Sequence, residues 1–313
     1  MMAAIDPANA VFFDLSPRTK LRITGNDRLR YLNGQLTNNV SKATASSAIA
    51  ACLLNAKGKM QGYVFISAVG ESSLIDAERE MGGTLQSRLE RYVIADDVQI
   101  EDISPKFSIF HAIGSPLPKL PGDCRIVSAT RFRQAGHDIW VENTARDAVF
   151  EKLAGVFSFR DDPSAEVFRI ELGIPQWGRE LTEEIIPLEA NLEEACIDYE
   201  KGCYIGQEVI SRMRMSGQRN KKLCGLISVH GLPLEAGMKL FPIGEEKKEV
   251  GWITSATHSK KLGKEIGLGF MKRPFYHATF RLDAVNPENP FGSAAVRVEI
   301  ADLPFTPRSN GID

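Results

Sequence analysis

The chain has 313 residues, 43% of them hydrophobic and 25% charged, a composition typical of a globular protein with about two domains. Its formal net charge of -2 argues against a nucleic-acid-binding protein with a global excess of Lys and Arg. Five cysteines without C-x-x-C spacing and five histidines without H-x-x-x-H spacing argue against a disulfide framework, a closed zinc site and a conventional metallohydrolase.

The N-terminus lacks the basic and apolar regions of a secretory signal. The first arginine is Arg18, which argues against a transit peptide. No stretch approaches the ~18 apolar residues that a membrane span requires. We therefore expect a cytoplasmic protein that does not contact a membrane.

The first elements alternate between strand and helix. Polar and apolar residues alternate over residues 19–23, as they do in a half-buried strand. Gly25-Asn26-Asp27 then predicts a helix start. The helix that follows has a predicted apolar face made of Leu29, Leu32 and Leu36.

A hairpin comes next. Residues 48–54 and 62–69 are apolar and flank the turn sequence Asn55-Ala56-Lys57-Gly58-Lys59, a pattern typical of two antiparallel strands. A second amphipathic helix is indicated by Leu85, Leu89 and Val93.

Two more helices are predicted before the middle of the chain. Thr144 and Asp147 have the spacing of a capping box, which predicts a helix that runs to about Leu153. Asp162-Pro163 supplies an N-cap and a proline at the first helical position, and Gly173 supplies the end of that helix. These elements indicate two αβ modules.

The pattern changes after about residue 221, where short apolar segments are separated by Gly and Pro. This pattern predicts a small antiparallel barrel or sandwich. The predicted strands are 223–229, 238–242, 249–255, 266–271, 278–285 and 294–300. We therefore predict an αβ region over 1–216, made of modules at roughly 1–105 and 106–216, and a C-terminal β-barrel domain over 217–313.

The most unusual segment of the chain is Lys-Gly-Cys-Tyr-Ile-Gly-Gln-Glu, at Lys201–Glu208. Cys203 follows a cation closely and precedes a predicted helix that starts near Gly206. A cation and a helix N-terminus both stabilise a thiolate, which can attack, be oxidised or ligate a soft metal. The residues alone leave open the alternative that Cys203 is a small buried hydrophobic side chain.

This segment resembles the signature of the YgfZ family of folate-binding proteins, which are relatives of the glycine cleavage aminomethyltransferase and serve iron–sulfur cluster enzymes. Other motifs of that family are similar, in the same order, to three further segments of the chain: Gly25–Asn38, Phe168–Pro175 and Pro187–Leu192. The resemblance implies an α+β fold of the aminomethyltransferase type, a three-part ring in which two αβ modules and the C-terminal antiparallel β-barrel surround a central hole.

The resemblance also implies that tetrahydrofolate or a derivative binds in the hole. Glu171 matches the family position whose carboxylate pairs with the N–H and amino groups of the pterin, a role that suits two parallel hydrogen bonds. The alternative is a glutamate on a helix surface. The other residues that we expect to bind folate are Arg169, Asn191, Lys201, Tyr204, Gln207 and Arg212.

A run of cations without an acid follows the signature. Its members are Arg212, Arg214, Arg219, Lys221 and Lys222. These side chains either face the carboxylates of a folate glutamate tail or form a solvated surface. Only Arg212 and Arg214 are kept as candidates for the tail.

One segment departs from the enzyme. The glycine cleavage aminomethyltransferase carries an acidic pair in the hairpin where this chain has Gly58-Lys59-Met60-Gln61-Gly62, and no Asp or Glu lies between Asn55 and Val69. General-base help and stabilisation of a developing cation are both missing without a carboxylate there. The sequence therefore disfavours aminomethyl transfer.

We predict a folate-binding accessory protein for the assembly or repair of iron–sulfur clusters, which influences cluster-dependent enzymes including those that modify tRNA. Cys203 is the expected working thiolate and a transient iron–sulfur ligand, although transfer of electrons or of a one-carbon unit with folate stays open. The expected partners are iron–sulfur carrier proteins and cluster-containing client enzymes, without direct contact to nucleic acid, and the expected state is monomeric. The alternatives are a folate-dependent aminomethyl or one-carbon transferase and a binding module with an inert Cys203.

Overall fold

A computed structural model of the chain describes residues 10–245, 247–287 and 295–305. The N-terminal nine residues, for which neither a secretory signal nor a transit peptide is predicted, lie outside the described residues, as does residue 294 at the start of the last predicted strand. Within the described ranges, no helix is both long enough and apolar enough to cross a membrane.

The described residues form strands and helices in a mixed order. The strands are β1 Val11–Asp14, β2 Thr19–Thr24, β3 Ile49–Leu54, β4 Met60–Val69, β5 Ser72–Ala77, β6 Gln99–Asp102, β7 Phe107–Ile113, β8 Arg125–Ala129, β9 Gly136–Glu142, β10 Ser158–Arg160, β11 Lys221–Ser228, β12 Lys239–Pro242, β13 Gly251–Ser259, β14 Lys264–Lys272, β15 Arg281–Val285 and β16 Val296–Ala301. The α-helices are α1 Arg28–Gln35, α2 Gly82–Glu90, α3 Arg146–Ala154, α4 Asp162–Glu171, α5 Glu193–Cys196 and α6 Gln207–Ser216.

These elements group into two compact units. Unit 1 contains the described residues of Met1–Asp162 together with Glu193–Ser211. Unit 2 contains Pro163–Leu192 and the described residues of Arg212–Asp313. The division into domains at residues 216 and 217 stays a prediction.

Unit 1 contains two five-stranded sheets. One has the order β3-β4-β5-β2-β6, and the other has the order β10-β1-β7-β9-β8. The predicted hairpin is confirmed, because β3 and β4 pair antiparallel from Ile49 opposite Ile66 to Leu54 opposite Met60. Strand β1 pairs antiparallel with β7 and parallel with β10, so the start of the chain supplies an inner strand of the second sheet.

The first two predicted helices form, with small differences in their buried faces. Leu32 and Leu36 are fully buried as expected, whereas Leu29 is 41% exposed, which contradicts its place in the apolar face. Helix α2 buries Leu85 and Leu89 and ends at Glu90, so Val93 lies beyond it.

The helices of the middle region are confirmed, but one cap is not. A 3-10 turn precedes α3 and Ala145 is its N-cap, so Thr144 and Asp147 do not form the predicted capping box. Helix α4 begins at Asp162 as expected. Gly173 follows its end with φ +65°, and a Cβ at this residue would lie 2.8 Å from the Cβ of Leu303.

A network of buried charges joins the two sheets of unit 1. The guanidinium of Arg131 binds both carboxylate oxygens of Asp76 on β5 and both of Asp138 on β9. Asp138 also contacts Nδ1 of His111 at 2.7 Å, and Asp76 accepts a bond from Arg18. Desolvation opposes these charges, but the paired arginine holds the pKa of the Asp138 carboxyl well below its usual range.

Unit 2 is built on a closed antiparallel barrel with the strand order β11-β14-β13-β12-β15-β16. Each of the six strands predicted after residue 221 is present, within a few residues of its predicted ends. The barrel interior is apolar, and the buried side chains there include Leu226, Leu240, Ile253, Met271, Leu282 and Val298. The predicted C-terminal barrel is therefore confirmed.

Candidate functional site

Helix α4 in unit 2 places two charged residues, Arg169 and Glu171, in buried positions at its C-terminal end. All five N–H groups of Arg169 have partners inside this unit. They donate to both carboxylate oxygens of Glu166, the carbonyl of Ile174, Oε2 of Glu180 and Oγ of Ser255, at 2.7 to 2.9 Å. Arg169 therefore has no donor left for a ligand, and its predicted role in folate binding is not supported.

Glu171 has a different environment. Its residue is 8% exposed, and Oε1 accepts a hydrogen bond of 2.5 Å from Oγ of Ser259. Its backbone carbonyl accepts from the amide of Phe305 at 2.9 Å. Among the described residues, Oε2 has no hydrogen-bond partner and no cation pairs with the carboxylate. Oε2 is not fully enclosed, so it can accept a hydrogen bond from a donor that reaches it from solvent.

Two other candidates for folate binding also lie in unit 2. Asn191 has a left-handed backbone conformation, φ 58°, and caps the 3-10 turn Pro187–Ala190. Its Nδ2 donates to the carbonyl of Leu223 at 2.9 Å, which gives this side chain a structural partner. Arg212 lies exposed on α6, as does Arg214.

In unit 1, Lys201 binds the end of helix α1. Its ammonium donates to the carbonyls of Asn33, Leu36 and Asn38 at 2.8, 2.7 and 2.8 Å. Burial lowers its pKa to about 8. An ammonium has three N–H donors, and these three carbonyls use all of them. The expected roles of Lys201, as a cation acting on the thiol and as a folate-binding residue, are therefore not supported by this geometry.

The residues after Lys201 form a loop that is fixed on both sides of Cys203. The amide of Ile205 donates to the carbonyl of Gly34 at 3.2 Å, and the side chain of Tyr204 is buried. Cys203 itself is exposed, as predicted. The loop thus presents the thiol to solvent from a backbone that is held on α1.

Helix α6 starts directly after this loop, as the sequence predicted. Gly206 has φ +86°, and a Cβ there would lie 2.6 Å from the carbonyl oxygen of Asn55, so this turn requires glycine. Gln207 is the first residue of α6 and is half-buried. The hydroxyl of Tyr204 is buried without a hydrogen-bond partner among the described residues, and burial raises its pKa to about 12.

The other cysteines have different environments. Cys52 and Cys196 are fully buried, and Cys224 is 4% exposed in the barrel. The hydrogen bond that the Cys196 thiol makes with Cys52, together with burial, raises the pKa of Cys196 well above its ordinary value, and burial raises that of Cys224 to about 12. Cys124 is half-buried. Of these five thiols, Cys203 is therefore best placed to meet a partner.

The hairpin between β3 and β4 is confirmed as acid-free. Oε1 of Gln61 accepts a hydrogen bond of 2.6 Å from Nε of Arg88, and the same guanidinium donates to Oε1 of Gln35 at 2.9 Å. The hairpin therefore carries, at Gln61, an amide that is bound by an arginine.

In the parts of the chain that the structure describes, no group of three or more His, Cys, Asp or Glu side chains is arranged to hold a metal ion.

Sequence reasoning did not find Ser255, Ser259 and Glu180, which surround Arg169 and Glu171 in unit 2. Ser255, Ser259 and Glu180 are all fully buried. A fully buried glutamate is rare unless it is paired, but its burial is not visible in the sequence.

Known proteins resemble this chain in sequence and in fold. Residues 221–305 match the family described as Glycine cleavage T-protein C-terminal barrel domain. An aminomethyltransferase of Aquifex aeolicus is 27% identical over 286 residues, which cover 83% of this chain and 75% of the relative. A tRNA-modifying protein YgfZ of Yersinia pseudotuberculosis is 27% identical over 252 residues, 75% of this chain and 76% of the relative.

A third relative is the iron-sulfur cluster assembly factor IBA57 homolog, mitochondrial, of Dictyostelium discoideum, which is 23% identical over 67% of this chain and 60% of its own length. Among solved structures, the glycine cleavage system aminomethyltransferase T from Bartonella henselae superposes with a TM-score of 0.82 at 17% identity, and covers 95% of this chain and 86% of that protein. This superposition confirms the predicted fold.

Proposed function

Because the chain is a homologue of the YgfZ proteins and of the glycine cleavage aminomethyltransferases, we propose that it binds a reduced folate and serves the assembly or repair of iron–sulfur clusters. The names of two relatives support this, since one is a tRNA-modifying protein and another an iron–sulfur cluster assembly factor. Cluster-dependent enzymes, including enzymes that modify tRNA, would then be the clients.

The environment of Glu171 is the observation that carries the folate part of the proposal. One carboxylate oxygen has a hydrogen bond from Ser259, while the other has no partner among the described residues. Oε2 is not fully enclosed, so it can accept hydrogen bonds from a ligand that replaces solvent there. The N–H and amino groups along one edge of a pterin are a planar pair of donors that would supply them. Glu171 is therefore the residue that would hold the pterin.

The exposure of Cys203 is the observation that supports a role with iron–sulfur clusters. Its thiol is exposed on a loop whose backbone is held on α1 by Lys201 and Ile205. Thiolates are the ligands that iron–sulfur clusters prefer, and an exposed thiol at a fixed position can contact a carrier or client protein. The cluster would be cargo that passes this thiol.

Aminomethyl transfer is the second candidate, and the relative from Aquifex aeolicus supports it. The hairpin between β3 and β4 argues against it, because Gln61 stands there with its amide bound to Arg88 and no carboxylate is available. Proton transfer and stabilisation of a developing cation would each need such a group. The accessory role therefore has the better support.

A complementation experiment tests the accessory role. In cells that lack the protein, the activity of a cluster-dependent tRNA-modifying enzyme should fall, and the wild-type chain should restore it. Cys203→Ala should restore little, whereas Cys124→Ala, at a half-buried cysteine, should restore it fully. Full restoration by Cys203→Ala would contradict the proposed role of this thiol.

A further inference from the structure

Ser259 ends strand β13 and is fully buried beside the carboxylate of Glu171. Its Oγ accepts a hydrogen bond of 3.1 Å from the amide of Leu262 and donates one of 2.5 Å to Oε1 of Glu171. An ionised carboxylate only accepts hydrogen bonds, so the hydroxyl proton must point to Glu171. The backbone turn at Leu262 thereby fixes the position of the donor.

A second serine on the same strand, Ser255, contacts another residue in the last turn of α4. Ser255 is also fully buried; its Oγ accepts from Arg169 at 2.8 Å and donates to Oε1 of Glu180 at 2.6 Å. Residues four apart on a strand face the same side. Strand β13 therefore contacts the end of α4 at two points, which together fix the helix and its last side chain.

We propose that Ser259 is a positioning residue for the ligand-binding carboxylate: it holds Oε1 of Glu171 and leaves Oε2 for the edge of a bound pterin. This inference rests on the proposed folate function. The hydroxyl of Ser259 donates to one of the two lone pairs of Oε1. One lone pair of Oε1 and both lone pairs of Oε2 therefore remain for the donors of a ligand. That is sufficient for a ligand that presents two parallel N–H donors.

If Ser259 positions Glu171 in this way, the site should be specific for ligands that carry the amino group on the pterin edge. A carboxylate that is held before binding loses little side-chain freedom when the ligand arrives, so each N–H contact contributes fully to affinity. Without the hydroxyl, Glu171 is free to rotate within its site and the two contacts no longer form together. Ser259 therefore affects discrimination between ligands as well as affinity.

Calorimetric titration with two probes, 5-formyltetrahydrofolate and its 2-desamino analogue, tests this. The wild-type protein should bind the analogue at least about tenfold more weakly, because one acceptor loses its donor. Ser259→Ala should weaken the binding of 5-formyltetrahydrofolate by about tenfold. It should also reduce the difference in affinity between the two probes to less than about threefold. Should this variant not fold, Ser259→Cys keeps the shape with a weaker donor and should give a smaller change in the same direction.

Ser228→Ala is the matched control, because Ser228 is also buried in the barrel strands but its hydroxyl has no hydrogen-bond partner among the described residues. It should bind both probes as the wild type does. Equal weakening of both probes by Ser259→Ala, with discrimination retained, would show a role in folding alone and overturn the inference. Unchanged binding of both probes would also overturn it.

Glu171→Gln in the same series separates this inference from the proposed function. If Glu171→Gln binds 5-formyltetrahydrofolate as tightly as the wild type, the folate contact at Glu171 is wrong, whatever Ser259 does. If Glu171→Gln weakens binding and Ser259→Ala does not, only the positioning role is wrong. The predicted result is that both variants bind weakly and that both lose discrimination against the 2-desamino analogue.

Discussion

The ammonium Nζ of Lys201 donates a 2.7 Å hydrogen bond to the carbonyl oxygen of Leu36, at the C-terminal end of α1. The two residues are 165 positions apart in the chain. The sequence suggested a cation that acts on the neighbouring thiol, whereas the structure shows a lysine that caps a helix. The lysine of the signature thus joins the loop of Cys203 to the motif at Gly25–Asn38.

Lys201→Met should therefore destabilise the protein. The substitution removes three hydrogen bonds and leaves the carbonyls of Asn33, Leu36 and Asn38 without this donor, at an expected cost of about 2–4 kcal/mol in the free energy of unfolding. Lys57→Met, at an exposed position of the hairpin turn, should change it by less than about 0.5 kcal/mol. Urea unfolding that showed equal stability for both variants would refute the capping role.

Cys203 should be the most reactive thiol of the native protein. Iodoacetamide should label it well before Cys52, Cys196 and Cys224, which are buried, and peptide mass mapping would identify the labelled sites. Cys203→Ser should change the free energy of unfolding by less than about 0.5 kcal/mol, since the side chain is exposed. Labelling of Cys203 no faster than that of Cys52, together with a destabilised serine variant, would remove this cysteine from its proposed role.

Lys20 should make the stability depend on pH. Burial lowers its pKa in the folded protein from 10.5 to about 8, and its Nζ donates to the carbonyls of Ser16 and Arg18 at 2.7 and 2.8 Å. Between about pH 8 and 10.5 the unfolded chain keeps the proton that the folded chain has lost, so the contribution of Lys20 to the free energy of unfolding rises with pH. The neutral amine still has two N–H groups for the two carbonyls.

The measurement is the difference in unfolding free energy between the wild type and Lys20→Met from pH 7 to pH 10. The charged neighbours of the amine, Asp76, Arg18, Asp102 and Asp14, are present in both proteins. The difference should rise in favour of the wild type above pH 8, with a slope of at most about 1.4 kcal/mol per pH unit. A difference that is flat or falls over this range would contradict the lowered pKa.

The protein should not release ammonia from an aminomethylated lipoyl carrier protein in the presence of tetrahydrofolate. The reason is the acid-free hairpin, in which Gln61 is bound by Arg88. An ammonia assay with the loaded carrier should show only the background rate, with a genuine aminomethyltransferase as the positive control. Turnover near that of the control would favour the transferase alternative.

Local patterns in the sequence predicted much of the fold. The six barrel strands were predictable because β-strand alternation and Gly or Pro punctuation are both short-range signals. The pairing of β1 with β7 and β10 was not, since these strands are far apart in the chain and only packing brings them together. The capping box at Thr144 failed because Thr144 lies in a 3-10 turn before α3 and Ala145 is the N-cap of the helix.

The site was less predictable than the fold. The motifs identified Glu171, which is buried, and Cys203, which is exposed, and the roles expected of both stay predictions. They did not show what binds Arg169, because its partner Ser255 is 86 positions away in the chain. A charged residue near a ligand-binding glutamate has the same local pattern whether it binds the ligand or the protein, and only the three-dimensional contacts separate the two cases.

Binding of tetrahydrofolate is the central claim, and calorimetric titration of the wild type and Glu171→Gln tests it most directly. Replacing one carboxylate oxygen by an amide donor should cost about 2–4 kcal/mol of binding free energy if the buried carboxylate accepts from the pterin. We predict saturable binding to the wild type and an affinity for Glu171→Gln lower by at least about 30-fold. No detectable binding to the wild type, or equal affinity in both proteins, would contradict the account.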